Sequence, residues 1–448
     1  MQLKSILVEL IQTYLPVGSL RVRMAKGTFW FICGSIALQA SGMVSGIFCA
    51  RILGKVGFGE LNLLRNTVLM FGVLAGTGLG VLAVKYVSEF RDTEPEHAGR
   101  LLGLLFKVSL VTGIAVTMTF LILASPLASW AMKSSVLANS LRLGSILLLL
   151  NVLNGVQMGA ICGLELFRTV FKINMLEALL NMALIPAGAY LLGVTGAIGG
   201  SVMAATVMLP IKHRFMRKEC RRMNIMVSFE KKGEDLSELL KTMLPIMVLG
   251  IAFYPFEWLA KLFLVRQPGG FAQLGLFAAA NSFASISSSI PSQLISVVQP
   301  FLSNLLGKQQ MESFRRLALF SILLSGGVAL IIAFSLSVFS KTVMRAYGAS
   351  FSDAGGVLII LSFANVFFAL AIPYYKMLIA LNKIWPQAFF VALLGLSLIV
   401  GAYVLVHRGA QGLALSYLSA YFFMFVVQSG IIYKIVQPFE KMNSVMEV

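Results

Sequence analysis

The sequence predicts an all-α integral membrane protein, with about twelve transmembrane helices in two pseudo-symmetric six-helix lobes around a central cavity. Three observations lead there. The 448 residues are 58% hydrophobic and 12% charged, with a mean hydropathy of +0.87. A soluble domain carries about 25% charged residues, so this chain cannot clothe a water-facing surface. Stretches long enough to cross a bilayer, about 20 residues each, recur twelve times, at 27–50, 62–87, 101–124, 142–162, 173–192, 196–211, 242–266, 274–300, 317–339, 354–377, 386–406 and 412–434. Finally, the chain repeats itself. The stretch from Gly188 to Gly200 (GAYLLGVTGAIGG) matches that from Gly401 to Leu413 (GAYVLVHRGAQGL) at seven of thirteen positions, 213 residues apart. The same offset pairs Gly57-Phe58-Gly59-Glu60-Leu61 with Gly270-Phe271-Ala272-Gln273-Leu274. A duplicated apolar half points to a transporter of two lobes around a midplane site.

The elements follow in order. Residues 1–26 form a cytoplasmic or interfacial segment, in which Leu3, Ile6, Leu7, Leu10 and Ile11 mark one side of a surface helix. Span one follows basic residues but is too long for the apolar core of a cleavable signal. Residues 27–211 form the first lobe. In it, span two carries Gly72, Gly76 and Gly80, spaced for close helix contact, and span six is short. Residues 212–241 are a connector with a basic start, where Lys212, Arg214, Arg217, Lys218, Arg221 and Arg222 are expected on the lipid surface. Residues 242–434 form the second lobe, with Pro255 inside span seven and Pro291 inside span eight, where a proline removes a backbone donor and kinks the helix. Residues 435–448 are a cytoplasmic tail. The connections alternate in charge. With the N-terminus inside, inner segments hold 25 of the 36 Lys and Arg, so both termini are expected in the cytoplasm. The net charge of +18 then reflects topology and anionic-lipid contact rather than nucleic-acid binding. Cys33, Cys49, Cys162 and Cys220 form no metal or redox spacing and read as small packing residues.

Enzyme motifs are missing. No phosphate-binding GxxxxGK[ST] loop, HExxH or GxSxG occurs, and the three histidines have no ligand-spaced partner. No enzyme activity, cofactor or metal is expected. What remains is polar residues at membrane depth, each costly there unless used. Glu257 precedes Lys261 by four residues, which sets both on one helix face. The pair is either a hydrated site coupled to substrate or ion, or a self-neutralised pair inside the bundle. Glu177 lies between Asn174 and Asn181, beside a span carrying Asn151, Asn154 and Gln157. It is either an ion-coupling group or a partner in interhelical bonding. Asn281, Ser285, Ser288, Ser292 and Gln299 form one stripe on span eight, suited to a water-filled cavity. Subtracting 213 sets span two against span eight, so Arg65 would point into that cavity, where an arginine can hold a phosphate bidentately. Arg51 and Arg142 are weaker candidates.

Arg51-Ile52-Leu53-Gly54, then Gly57-Phe58-Gly59 leading into a Gly-rich span two, the Gly-Ala openings of spans six and twelve, and Pro245 at the start of span seven together resemble Wzx-type polysaccharide (lipid-linked oligosaccharide) flippases. These belong to the multidrug/oligosaccharidyl-lipid/polysaccharide exporter superfamily, and the likeness runs the length of the chain. It implies a bacterial inner-membrane protein that moves an undecaprenyl-pyrophosphate-linked glycan outward by alternating access, in O-antigen, capsule or exopolysaccharide synthesis. It also implies a cationic cavity, assigned to Arg65 and Lys261 and with lower weight to Arg51, and an acid at Glu257. Transport would be driven by a proton or sodium gradient or by consumption of the product outside, two alternatives the sequence leaves open, and a polysaccharide polymerase and chain-length machinery would be partners. Two other classes stay open. A multidrug or cation antiporter of the same fold would need deep carboxylates, of which there are two. A glycan polymerase or ligase would need a sizeable outer loop, and all the outer loops are short.

Overall fold

A computed structural model describes residues 19–76, 78–228, 239, 242–244, 247, 248, 250–307, 310–380 and 384–446. The surface helix expected within residues 1–18, and most of the second half of the connector, lie outside that set. Among the described residues the chain is all helical. The first lobe contains α1 (Ser19–Ala75), α2 (Leu79–Phe90), α3 (Pro95–Pro126), α4 (Ala138–Gly163) and α5 (Phe167–Arg222). The second contains α6 (Tyr254–Val265), α7 (Gly270–Ala284), α8 (Ile286–Gly307), α9 (Met311–Val338), the short α10 (Ser340–Arg345), α11 (Gly355–Ala380), α12 (Ile384–Leu405) and α13 (Gly409–Met446). The first half of the connector continues α5 as far as Arg222.

Three of the apolar stretches are too long for one crossing. Phe29–Ala75 has 47 residues, about 70 Å if straight, against a hydrocarbon thickness of about 30 Å. Gly54 folds it back, with φ 67°. Gly193 (φ 61°, ψ −141°) folds α5 and Gly409 (φ 61°, ψ −139°) turns α12 into α13. The two backbones are nearly the same, and only glycine adopts them without strain. With these folds the seven long apolar segments among the described residues make ten crossings, and α6 and the α7–α8 pair stand in the places of spans seven and eight. Gly54, Gly193, Gly269 and Gly409 mark one end of the bundle, here the turn end. The loops at 91–94, 164–166 and 223–228 mark the opposite, basic end.

Apolar side chains gain nothing from leaving lipid for one another, so the lobes hold by close backbone contact. A Cβ on Gly188 would lie 2.1 Å from Gly196 O, and one on Gly200 2.2 Å from Leu184 O. In the second lobe, one on Gly401 would lie 3.1 Å from Ser416 Cβ, and one on Gly412 1.9 Å from Leu405 O. The glycines of span two divide their work. Gly80 packs on Gly155 and Gly159, as the spacing predicts, but Gly76 (φ 98°) breaks the span between α1 and α2. Pro255 likewise does not bend a continuous helix. The chain turns at Ala252–Phe253, and the proline opens α6 in its first turn, where its missing N–H costs nothing. Span eight breaks at Ser285, between α7 and α8.

The lobes meet where α1 crosses α7. A Cβ on Gly59 would lie 1.9 Å from Phe271 O, and one on Gly275 would lie 2.0 Å from Lys55 O. The contact is reciprocal, and Gly275 and Phe271 stand 216 residues after Gly59 and Lys55. The sequence repeat at 213 is therefore three residues out of the spatial register. Register 216 moves every side chain paired across the pseudo-two-fold. The two turn glycines, Gly193 and Gly409, obey it. Gly59→Ala should therefore weaken the seam between lobes rather than either lobe. We expect lower yield and a drop of several degrees in thermal unfolding of the purified protein, whereas Gly42→Ala, which meets nothing within 4 Å, should behave as the parent.

Beyond the crossing the lobes still touch: Gln39 Nε2 of α1 donates to Ser289 Oγ of α8 at 2.9 Å, and Tyr86 OH of α2 donates to Thr242 Oγ1 of span seven at 3.1 Å. Among the described residues the principal contacts of α2 are with α3 and α4, and those of α8 are with α9 and α11. The halves of spans two and eight nearest the basic end thus pack mainly within their own lobes, with a hydrogen bond from each to the other lobe.

Candidate functional site

Where α1 faces α6, the second lobe presents a charged pair. The helix start at Tyr254 puts Glu257 in the first turn, where the helix dipole favours a carboxylate. One turn on, Lys261 Nζ lies 2.7 Å from Glu257 Oε1. Lys261 is only 6% exposed. Its ammonium also donates to Asn66 Oδ1 of the first lobe at 2.7 Å, and Tyr417 OH donates to Glu257 Oε1 at 3.1 Å. Beside them Trp258 Nε1 donates to Thr67 Oγ1 across the lobes at 2.9 Å. The pair is thus a neutralised, bonded unit that bridges the seam. A buried ion pair repays its desolvation only when its remaining donors and acceptors are satisfied in this way.

Arg65 is the neighbour of Asn66 on α1. Among the described residues its side chain has no hydrogen bond or ion pair. In register 216 it stands opposite Asn281 of α7, whose side chain is also unbonded. Both are partly buried. Each lies six residues past the Gly59–Gly275 crossing, about 9 Å along its helix toward the basic end. At an offset of 213 Arg65 would instead have stood opposite Ala278. The same register sets Glu257 and Lys261 opposite Ser41 and Ser45, which bond to the Leu38 and Asn181 carbonyls. The charges of the site are therefore not duplicated. With Lys261 balanced by Glu257, Arg65 supplies one uncompensated positive charge.

The rest of the span-eight stripe is partly turned away. Ser285 Oγ bonds its own helix at Ser282 O, 3.1 Å. Ser288 Oγ donates to Asn365 Oδ1 of α11 at 2.7 Å and is buried within the second lobe. Ser292 is partly exposed, and its carbonyl accepts from Ser296. The side chain of Gln299 lies outside the described residues. Ser289, off the stripe, reaches the other lobe and accepts from Gln39 Nε2 at 2.9 Å. A serine hydroxyl can always bond back to its own helix, so the pattern alone cannot tell a cavity wall from a packed one.

Glu177 is not free. Its Oε2 lies 2.8 Å from Lys212 Nζ, and Lys212 is 4% exposed. This corrects the placement of Lys212 with the surface cluster: α5 carries it into the lobe while His213, Arg214, Arg217, Lys218, Arg221 and Arg222 stay exposed. Lys212 corresponds in register 216 to Gln428, which is buried and bonds Gln387 at 3.3 Å. A charge pair in one lobe answers an amide pair in the other. Asn154 bonds the Ala205 carbonyl at 3.0 Å. Arg51 lies at the turn end, exposed, with Nε on the Ala346 carbonyl at 2.8 Å, and so is not brought to Arg65 and Lys261. Arg142 bonds Asn139 and Ser125 within its lobe. Among the described residues no cluster of three or more His, Cys, Asp or Glu could hold a metal.

Residues 24–306 match the family described as polysaccharide biosynthesis protein. The chain belongs to that family. The chain is 24% identical over 183 residues to proteins named Lipid III flippase in Escherichia coli (strain K12) and Shigella flexneri. The match spans 37% of this chain and 44% of those relatives. Its fold is that of the MOP-superfamily transporters. An inward-facing multidrug resistance MATE family transporter superposes at TM-score 0.80 and 16% identity, over 90% of this chain and 96% of that one. An outward-facing MATE transporter gives 0.72 at 16% identity over 95% and 98%. A MOP-superfamily transporter from Pyrococcus furiosus gives 0.68 at 14% over 94% and 97%.

Asn66, Thr67, Trp258 and Tyr417 complete the site, and no sequence motif marks them. Asn66 and Thr67 adjoin Arg65 and could have been found as polar residues at membrane depth. Tyr417 lies 160 residues from Glu257, and no spacing rule reaches that far.

Proposed function

We propose that this chain flips an undecaprenyl-pyrophosphate-linked oligosaccharide from the cytoplasmic to the outer leaflet of a bacterial inner membrane by alternating access. The glycan would serve O-antigen, capsule or exopolysaccharide synthesis. The observation that carries the proposal is Arg65, an unpaired guanidinium beside the seam between the lobes, with Asn281 opposite in the pseudo-symmetric position. An isolated cation at membrane depth is costly unless an anion arrives. A pyrophosphate supplies that anion, and the guanidinium fork suits it. Asn281, Ser292 and the open side of the seam would meet the sugar hydroxyls, while the lipid tail stays in the bilayer. Lys261 would act from its pair with Glu257, by exchanging the carboxylate for the phosphate. Family membership and the named relatives support the substrate class.

In this reading the basic end is cytoplasmic, as are both termini. The exposed cations of α5, from Arg214 to Arg222, then lie against anionic lipid headgroups. A proton or sodium gradient would act through Glu257. Glu177, held by Lys212, is a poorer coupling group. A polymerase and chain-length machinery would take the glycan on the far side. The cation antiporter reading is less well supported: both deep carboxylates already carry a lysine, and the unpaired charge at the seam is positive.

The test is transbilayer movement. Purified protein in lipid vesicles should move a labelled undecaprenyl-pyrophosphate oligosaccharide from leaflet to leaflet, and loss of the protein from cells should leave that lipid accumulating and surface glycan absent. Vesicles that export a small organic cation against a proton gradient and leave the lipid-linked glycan in place would replace this reading with the antiporter.

A further inference from the structure

The turn end carries two arginines that the site does not use. Arg51, between spans one and two of the first lobe, donates Nε–H to the Ala346 carbonyl of the second lobe at 2.8 Å. Arg266, between spans seven and eight of the second lobe, donates Nη2–H to the Trp130 carbonyl of the first lobe at 2.9 Å and Nε–H to the Ala131 carbonyl at 3.2 Å. Its guanidinium also lies over the Trp130 ring, 5.2 Å from the centroid. The two contacts are copies of one another. The arginines are 215 residues apart, and so are the carbonyls that accept from their Nε, Ala131 and Ala346, within one residue of the register of the Gly59–Gly275 crossing.

Both acceptors have the same origin. Trp130 and Ala131 end a π-helical turn, Leu127–Ala131, and Ala346 caps α10. Each lobe thus offers carbonyls at the C-terminal end of a short helical segment, where the last C=O groups lack intrahelical partners and the dipole is negative. Each lobe answers with a guanidinium. Between the two contacts Phe58 of the first lobe packs on Tyr347 and Phe351 of the second, with centroids 5.7 and 6.1 Å away.

We propose that Arg51 and Arg266 are a pair of symmetric latches that hold the turn end shut while the cavity faces the basic end, and that both must release for it to open. The Arg266 latch is the stronger, because it grips two carbonyls and a ring while Arg51 makes one bond at an exposed site. The proposal rests on the reading of the chain as an alternating-access transporter, but its test needs no substrate.

Nitroxides would be attached at Val136→Cys and Asp353→Cys, exposed turn-end positions in opposite lobes, in a chain with the four native cysteines replaced. Pulsed EPR on the purified protein then reads the distance across the turn end. The parent should show mainly the closed distance. Arg266→Gln should raise the odds of the separated state about tenfold, as expected for losing one charge-assisted contact, Arg51→Gln should raise them less, and the double variant should raise them more than either. An unchanged distribution in a double variant that melts and elutes like its parent would overturn the latch. Should the double variant not fold, the folded singles decide: no shift in either overturns it, and a larger shift for Arg266→Gln than for Arg51→Gln supports it. A protein that fails to move glycan but responds this way would lose the substrate assignment and keep the latches.

Discussion

Lys261→Met should destabilise the protein by about 2–3 kcal/mol, while Glu257→Gln combined with Lys261→Met should recover most of that loss. The first change leaves the Glu257 carboxylate largely buried, with only Tyr417 OH and the helix start to hold it. Removing one partner of a buried pair costs about 3–5 kcal/mol, whereas replacing both is often neutral. We take the lower figure because the Glu257 side chain keeps 19% of its exposure. The change also removes the Lys261–Asn66 bond between the lobes, which the double variant does not restore, so recovery should be incomplete. Denaturation of the purified protein in detergent for the parent, both singles and the double gives the coupling directly. A double variant as unstable as Lys261→Met would show that the pair is not the unit described here.

Arg65→Asn should cut glycan transport by ten- to a hundredfold, roughly the loss of one bidentate contact to phosphate of about 1.5–3 kcal/mol, with protein level and unfolding temperature unchanged. Stability should hold because Arg65 bonds nothing in the folded chain. The stronger form of the test moves the charge. Asn281→Arg in the Arg65→Asn background places a guanidinium at the pseudo-symmetric position, and it should restore part of the transport if the cavity needs a cation at that depth. Surface glycan in cells and leaflet exchange in vesicles both read the outcome. Parent-level transport by Arg65→Asn would remove Arg65 from the site.

The two predictions differ in kind because the two cations do. Lys261 is tied on both sides, by Glu257 within its own helix and by Asn66 across the seam, so its removal is felt first as stability. Arg65 is tied to nothing, so its removal is felt first as function. The spacing of Glu257 and Lys261 shows their pairing at once, because one helix holds both. The sequence could not distinguish an anchored lysine from a free one, because Asn66 is 195 residues away. Glu177 makes the same point. Its asparagine neighbours suggest a polar cluster, yet its partner is Lys212, read from the sequence as one more residue of a surface cluster. Serines 285, 288 and 292 share a line on paper, but the break at Ser285 and the reach of Asn365 send them different ways.

What this sequence determined by itself is the helical membrane fold, its twelve crossings and its doubling. Those follow from hydropathy, length and a recurring glycine pattern, all local properties set by a solvent that forbids unbonded backbone. The register of the doubling belonged to the tertiary structure. A recurring glycine pattern aligns almost as well three residues out of step, and only the reciprocal approach of Gly59 and Gly275 fixes the spatial pairing at 216. That pairing sets Arg65 opposite Asn281, while at the turn end, where Gly54 answers Gly269, the offset is 215 and makes Arg51 and Arg266 equivalent. Which cations are neutralised, which is free and which span the seam depends on side chains brought together from far along the chain, and packing alone decides that.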